Sequence, residues 1–190
     1  MENPEIAIKR AVAIYHAKGY PPEWIDVRIP NKIARERLEE EWDKRGIKQG
    51  VEFAILTNAI SEQTFGINTD KHKKMKNLGK SHGLRDNMTP IELTLTTLAE
   101  QATKEIAQSM NAQGLYMNKT ATMSGGSIAG KARVSIETTT GKKVVSPTNY
   151  LSEQKKNTGL LVIDDKIKKI ANEKRPKNKT RLCPREMRGR

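Results

Sequence analysis

The segment Thr89-Pro90-Ile91-Glu92 constrains this chain more tightly than any other. Thr89 can cap a helix, Pro90 fits the first helical position, where no N–H is needed, and Glu92 can reach back to the cap. Apolar residues then recur at Ile91, Leu95, Leu98, Ala102 and Ile106. That spacing predicts a long amphipathic helix with this stripe toward the core.

The rest of the chain is punctuated in the same way. Asn3-Pro4-Glu5 opens a helix with Ile8, Ala11, Val12 and Tyr15 on one face and Gly19 as its stop. Pro21-Pro22 interrupts the chain. Pro22 is expected to start a short helix through Trp24 and Ile25 that ends before Pro30. Asn31 then caps a charged helix striped by Ala34, Leu38, Trp42 and Arg45. Val51 to Thr64 carries two apolar stripes, Val51, Ala54, Ile55, Ala59 and Phe53, Leu56, Ile60, which predicts a helix in the middle of the core, ended by Gly66. Asn68 or Thr69 caps a basic segment running to Gly79. A last helix is expected near Ser127, with Ile128, Ala132 and Ile136 on one face and Gly141 after it. Ser146-Pro147 repeats the cap-then-proline signal, and Leu160–Ile163 reads as either a strand or a helix start. Apart from Lys143-Val144-Val145 and Leu160–Ile163, nothing alternates with period two, so the fold class is all-α. The expectation is a single compact multi-helix domain over residues 3–172, followed by a basic, disordered tail over 173–190.

Charge separates body from tail. The net charge is +13, and residues 166–190 hold eleven basic groups against Glu173 and Glu186. This tail, including Arg175, Lys177, Lys179 and Arg181, reads as an electrostatic arm for DNA or as a solubilising end. A second cluster, Lys71, Lys73, Lys74 and Lys76 with Lys80, reads as a solvated helix face or a nucleic-acid contact. Neither stretch holds an aromatic ring for stacking on single strands. No apolar run is long enough to cross a membrane, and the first residues lack the pattern of a secretory signal. A cytoplasmic location is expected, with no membrane partner. The single Cys183 excludes a disulfide framework and a thiolate zinc site.

Catalytic signals are weak. Gly125-Gly126-Ser127-Ile128-Ala129-Gly130-Lys131-Ala132 has the glycine and lysine spacing of a phosphate-binding loop, but Ala132 stands where a magnesium-holding hydroxyl is needed. The better reading is a hinge at Gly125-Gly126 before a helix whose Ala129, Gly130 and Ala132 let a neighbour approach closely. His16, His72 and His82 show no metal-ligand spacing. The sequence therefore implies no cofactor, no metal site and no catalytic residue. Asp86, Glu92, Glu100 and Glu105 leave a metal-dependent nuclease as the lowest-ranked alternative. Before the helix start, Arg85-Asp86-Asn87 is expected to brace a turn, with Arg85 paired to an acid, or else to present a partner-binding surface.

The run Gly83-Leu84-Arg85-Asp86-Asn87-Met88-Thr89-Pro90-Ile91-Glu92-Leu93, continuing to Leu98-Ala99-Glu100, resembles the C-terminal region of the DNA-damage-inducible protein D family and related phage antirepressors of the Bro-N class. Glu41-Trp42, Arg45-Gly46-Ile47, Gly50 to Thr57, Thr64-Phe65-Gly66 and Gly125 to Arg133, leading to Thr140 to Pro147, agree in order, so the resemblance spans about Trp24 to Leu151. It implies a non-enzymatic regulator from a mobile element or a DNA-damage response, acting on a repressor or recombination protein. The Bro-N domain, to which that family's DNA-binding role is assigned, has no counterpart in this sequence. The alternative is a sequence-nonspecific nucleic-acid-binding accessory protein.

Overall fold

The computed structural model describes residues 4–150 except Lys80. These residues form six α-helices and a 3-10 turn: α1 (Pro4–Ala17), α2 (Pro22–Lys44), α3 (Val51–Phe65), α4 (Thr69–Met75), the turn Arg85–Asn87, α5 (Pro90–Ser109) and α6 (Gly114–Thr140). Among the described residues there is no strand, and the all-α class holds. Asn3, Leu160–Ile163 and the tail over 173–190 lie outside the described residues.

Helices α5 and α6 form a hairpin closed by residues 110–113. Helix α3 packs on α6, α2 on α5, and α1 on α2. One core gathers Tyr15, Tyr20, Trp24 and Ile25 with Phe65, Met88 and Leu93. A second gathers Leu38, Trp42, Ile47, Leu56 and Ile60 with Ala99 and Ala129. The α5–α6 end is lined by Ala107, Ala112 and Ala121.

Several local rules act as the sequence implies. The Thr89 hydroxyl accepts from the Glu92 N–H at 3.4 Å, and Glu92 accepts from the Thr89 N–H at 2.7 Å, so the capping box is complete. Gly66 and Gly141 close their helices with φ of 74° and 67°, a left-handed geometry that costs glycine nothing. The Asn68 side chain caps α4 through the Lys71 N–H at 2.9 Å.

Other expectations are corrected. Pro30 does not end a helix: α2 runs through it. Proline removes one donor and crowds the preceding turn, yet both flanks are pinned. Trp24 Nε1 donates to the Met88 carbonyl at 2.9 Å, and Asn31 Nδ2 donates to Thr97 Oγ1 at 3.0 Å. Asn31 is therefore a fully buried tie to α5 and not a cap.

Helix α6 starts at Gly114, well before Ser127, and Gly125-Gly126 is its middle, not a hinge. Its inner face is made of small and polar residues. A Cβ on Gly125 would lie 2.5 Å from the Thr103 backbone nitrogen, and one on Gly126 would lie 2.7 Å from Gln63 Cβ. A Cβ on Gly130 would lie closer still to the Gln63 carbonyl oxygen. The glycines thus let α6 lie against α3 and α5 together, and they form no phosphate cradle.

The same contact rotates α5. Its buried face is Glu92, Leu93, Thr96, Ala99, Glu100, Thr103 and Ala107 together with Leu95, while Ile91 and Leu98 are partly exposed. Small residues face α6 because only they fit. In α3 the Phe53, Leu56, Ile60 stripe turns inward with Ala59, but Val51, Ala54 and Ile55 face out. Pro147 sits in a bend, not at a helix start.

Candidate functional site

The polar residues that sequence reading singles out converge beside the junction of α4, α5 and the 83–88 segment. Glu92 is fully buried at the head of α5. Its carboxylate receives Lys76 Nζ at 2.9 Å, lies 3.1 Å from His72 Nε2, and accepts the Thr89 N–H. Burial pushes the Glu92 carboxyl up, but the bonds from His72, Lys76 and Thr89 together outweigh it and hold the group below the ordinary carboxylate range. His72 packs edge-on against Phe65, with ring centres 5.1 Å apart. Lys76 also donates to the carbonyls of Ser146 at 3.3 Å and Thr148 at 2.8 Å, strapping the segment after α6 onto α4.

This corrects the reading of Lys76 as a nucleic-acid contact. It is 1% exposed and its charge is taken up by Glu92. Lys71 and Lys74 are exposed, and Lys73 is half-buried. The body cluster therefore splits between surface and interior, because a seven-residue helix turns its lysines to different sides. Arg175, Lys177, Lys179 and Arg181 lie outside the described residues.

The Arg85-Asp86-Asn87 turn is held from within. Asn87 Nδ2 donates to the Gly83 carbonyl at 2.9 Å. Arg85 Nη2 donates to the fully buried Glu100, which Arg35 also approaches at 3.6 Å. Arg35 in turn lies 5.0 Å over the Trp42 ring. Asp86 Oδ1 receives Arg28 through Nε and Nη2, both at 3.0 Å, and the Tyr15 hydroxyl at 3.2 Å. The Tyr20 hydroxyl donates to the Asp86 carbonyl at 2.6 Å. Burial, with the Asp86 charge beside it, pushes the Tyr20 phenol well above its ordinary range. The turn is thus braced as expected, and Arg85 has its acid.

A cavity of about 320 Å³ opens between these groups. Arg28 of α2, Ile60 and Phe65 of α3, Lys73 of α4, the 83–88 segment and Thr96 of α5 line it. Sequence reading missed this cavity and the buried ion cluster. The one available signal was the four-residue spacing of His72 and Lys76, which puts both on one helix face.

Among the described residues, no group of three or more His, Cys, Asp or Glu side chains is disposed to hold a metal ion, and no helix is long and apolar enough to cross a membrane. The chain is an all-α protein built on a helical hairpin. No family model matches it, and no curated protein or solved structure matches it either.

Proposed function

We propose that this chain is a non-enzymatic regulatory module of the cytoplasm that binds a protein partner on or near DNA. Its resemblance to the damage-inducible and antirepressor family points to a repressor or recombination protein as that partner, and to a mobile element or DNA-damage response as the setting. The observation that carries the binding reading is the outer face of α6. Tyr116 is 84% exposed, Met123 44% and Val134 51%. At spacings of seven and eleven residues these three align along one side of the helix. An aligned row of exposed apolar side chains, bordered by Lys119 and Lys131, has the make-up of a protein-binding face. Glu92 and Glu100 are both spent on buried ion pairs, which lends no support to nuclease chemistry at that end of α5.

A second reading, sequence-nonspecific binding of nucleic acid, is favoured by the eleven basic residues of 166–190. Affinity capture from host extract, with and without added nuclease, separates the two. The partner reading expects a retained protein that survives nuclease. Material lost on nuclease treatment supports the accessory reading instead. Incubation with supercoiled plasmid and magnesium or manganese is expected to leave the plasmid intact, and metal-dependent nicking overturns the non-enzymatic reading.

A further inference from the structure

The cavity between α2, α3, α4 and the 83–88 segment sets hydrogen-bond acceptors against an apolar wall. We propose that it binds an uncharged aromatic molecule that donates a hydroxyl proton to the cavity. This goes beyond the partner reading and does not depend on it.

The apolar wall is formed by Ile60, Phe65, Leu84 and Met88. Four hydroxyls also line the cavity, and each spends its proton on the protein. Thr57 donates to the Phe53 carbonyl at 2.7 Å, Ser61 to the Ile67 carbonyl at 2.8 Å, Thr69 to Asn58 Oδ1 at 2.5 Å, and Thr96 to the Glu92 carbonyl at 2.9 Å. A hydroxyl that has given up its proton meets a ligand with lone pairs only. All four are therefore acceptors toward whatever fills the cavity.

Asp86, also on the wall, adds a charged acceptor. Its Oδ1 takes both contacts from Arg28 and the Tyr15 hydroxyl. Among the described residues, no bond reaches its Oδ2. That oxygen lies beside Gly83, another wall residue, where an added Cβ would stand 3.4 Å from it. An O–H donated to a carboxylate is short and about twice as strong as a bond between neutral groups. A ligand hydroxyl has the chemistry this wall lacks.

Charge keeps the ligand neutral. Of the lining cations, Arg28 is held by Asp86 and Arg85 by Glu100. Arg35 shares Glu100 at 3.6 Å and lies 2.6 Å from Glu39. Lys73 is engaged as well. An anion in the cavity would compete with carboxylates already in place and lie beside the Asp86 charge, and a cation would face Arg28 and Arg85. The volume of about 320 Å³ lies at the lower end of the range for organic ligand sites, which suits a two-ring body.

The test uses the full chain with 2-naphthol as probe, read by titration calorimetry and by the fluorescence of the probe. Two controls divide the claim. 2-Methylnaphthalene has nearly the same outline without the hydroxyl, and 2-naphthoate carries a negative charge. The expected result is saturable one-to-one binding of naphthol, with each control weaker by about tenfold or more. Thr57→Leu fills the cavity with a good helix former and is expected to abolish naphthol binding, with circular dichroism verifying its fold. If Thr57→Leu fails to fold, the two controls decide. Absence of saturable naphthol binding, either control binding as tightly as naphthol, or undiminished binding by a folded Thr57→Leu overturns the proposal.

Discussion

Lys76 Nζ lies 2.9 Å from Glu92 Oε2, and neither side chain reaches solvent. This pair fixes α4 to the head of α5, and through the Ser146 and Thr148 carbonyls it also holds the segment that leaves α6. Removing one partner of a buried pair leaves the other charge without compensation, at a cost of about 3–5 kcal/mol. Lys76→Met is therefore expected to destabilise the protein by about that amount in urea unfolding. Glu92→Gln is expected to cost a similar amount, and the double variant less than the sum, because the two share one interaction. A loss under about 1 kcal/mol for Lys76→Met, the scale of an exposed pair, contradicts a buried role for this lysine.

The same cluster contributes to stability in a pH-dependent way. The folded-state value of the Glu92 carboxyl lies below its ordinary 4.5. A carboxylate held in this way contributes fully above the unfolded value, and the contribution fades as pH falls from there through the folded value. Stability is expected to drop below about pH 4.5, and Glu92→Gln is expected to flatten that part of the profile. Thermal melts from pH 7 to pH 3 check this. A variant whose acid slope matches the wild type contradicts it.

Gly125 tests the close approach of α5 and α6. In an open helix, Gly→Ala gains up to about 1 kcal/mol. Here the added Cβ meets the Thr103 backbone at 2.5 Å, and backbone cannot move aside as a flexible side chain can. Gly125→Ala is expected to lose about 1–3 kcal/mol net, as overpacking does, while Ser124→Ala on the exposed face stays within about 0.5 kcal/mol. Stabilisation by Gly125→Ala contradicts the packing described.

How much of this was legible follows from how far apart the interacting residues are. The capping box spans Thr89 to Glu92, and the stops at Gly66 and Gly141 depend on one residue each, so they can be read from the chain. The burial of Lys76 cannot, because its partner is Glu92, whose role looks complete as a cap, and because lysines in a run look solvated. Pro30 misleads for a similar reason: the ties that carry α2 through it come from Met88 and Thr97, more than sixty residues away. The early start of α6 was written in a pattern of small residues. Asn118, Ala121, Thr122, Gly125, Gly126, Ala129 and Gly130 recur at helical spacing, but a search for large apolar residues passes over them. The α5 stripe was read one step out of phase on the same assumption, that bulky residues mark the inner face.

The nucleic-acid reading has a direct measurement of its own. Lys71 and Lys74 are the exposed members of the cluster Lys71, Lys73, Lys74 and Lys76, so this cluster offers a thin cationic patch. Deleting residues 175–190 removes seven basic residues and one acid. If the chain binds duplex DNA, this deletion is expected to reduce affinity by at least about tenfold at low salt and to lower the salt slope. Equal binding by the truncated protein contradicts a role for the tail, and charge reversal at Lys71 and Lys74 then tests the body.

The most direct test of the central claim compares the wild-type chain with Met123→Glu/Val134→Glu in affinity capture from nuclease-treated host extract. Both positions are exposed on the outer face of α6, so the substitutions are expected to leave the fold and its melting temperature close to those of the wild type. The account predicts a discrete protein partner that survives nuclease with the wild type and is lost with the variant. The same partner retained by both proteins, or no partner once nucleic acid is removed, contradicts it.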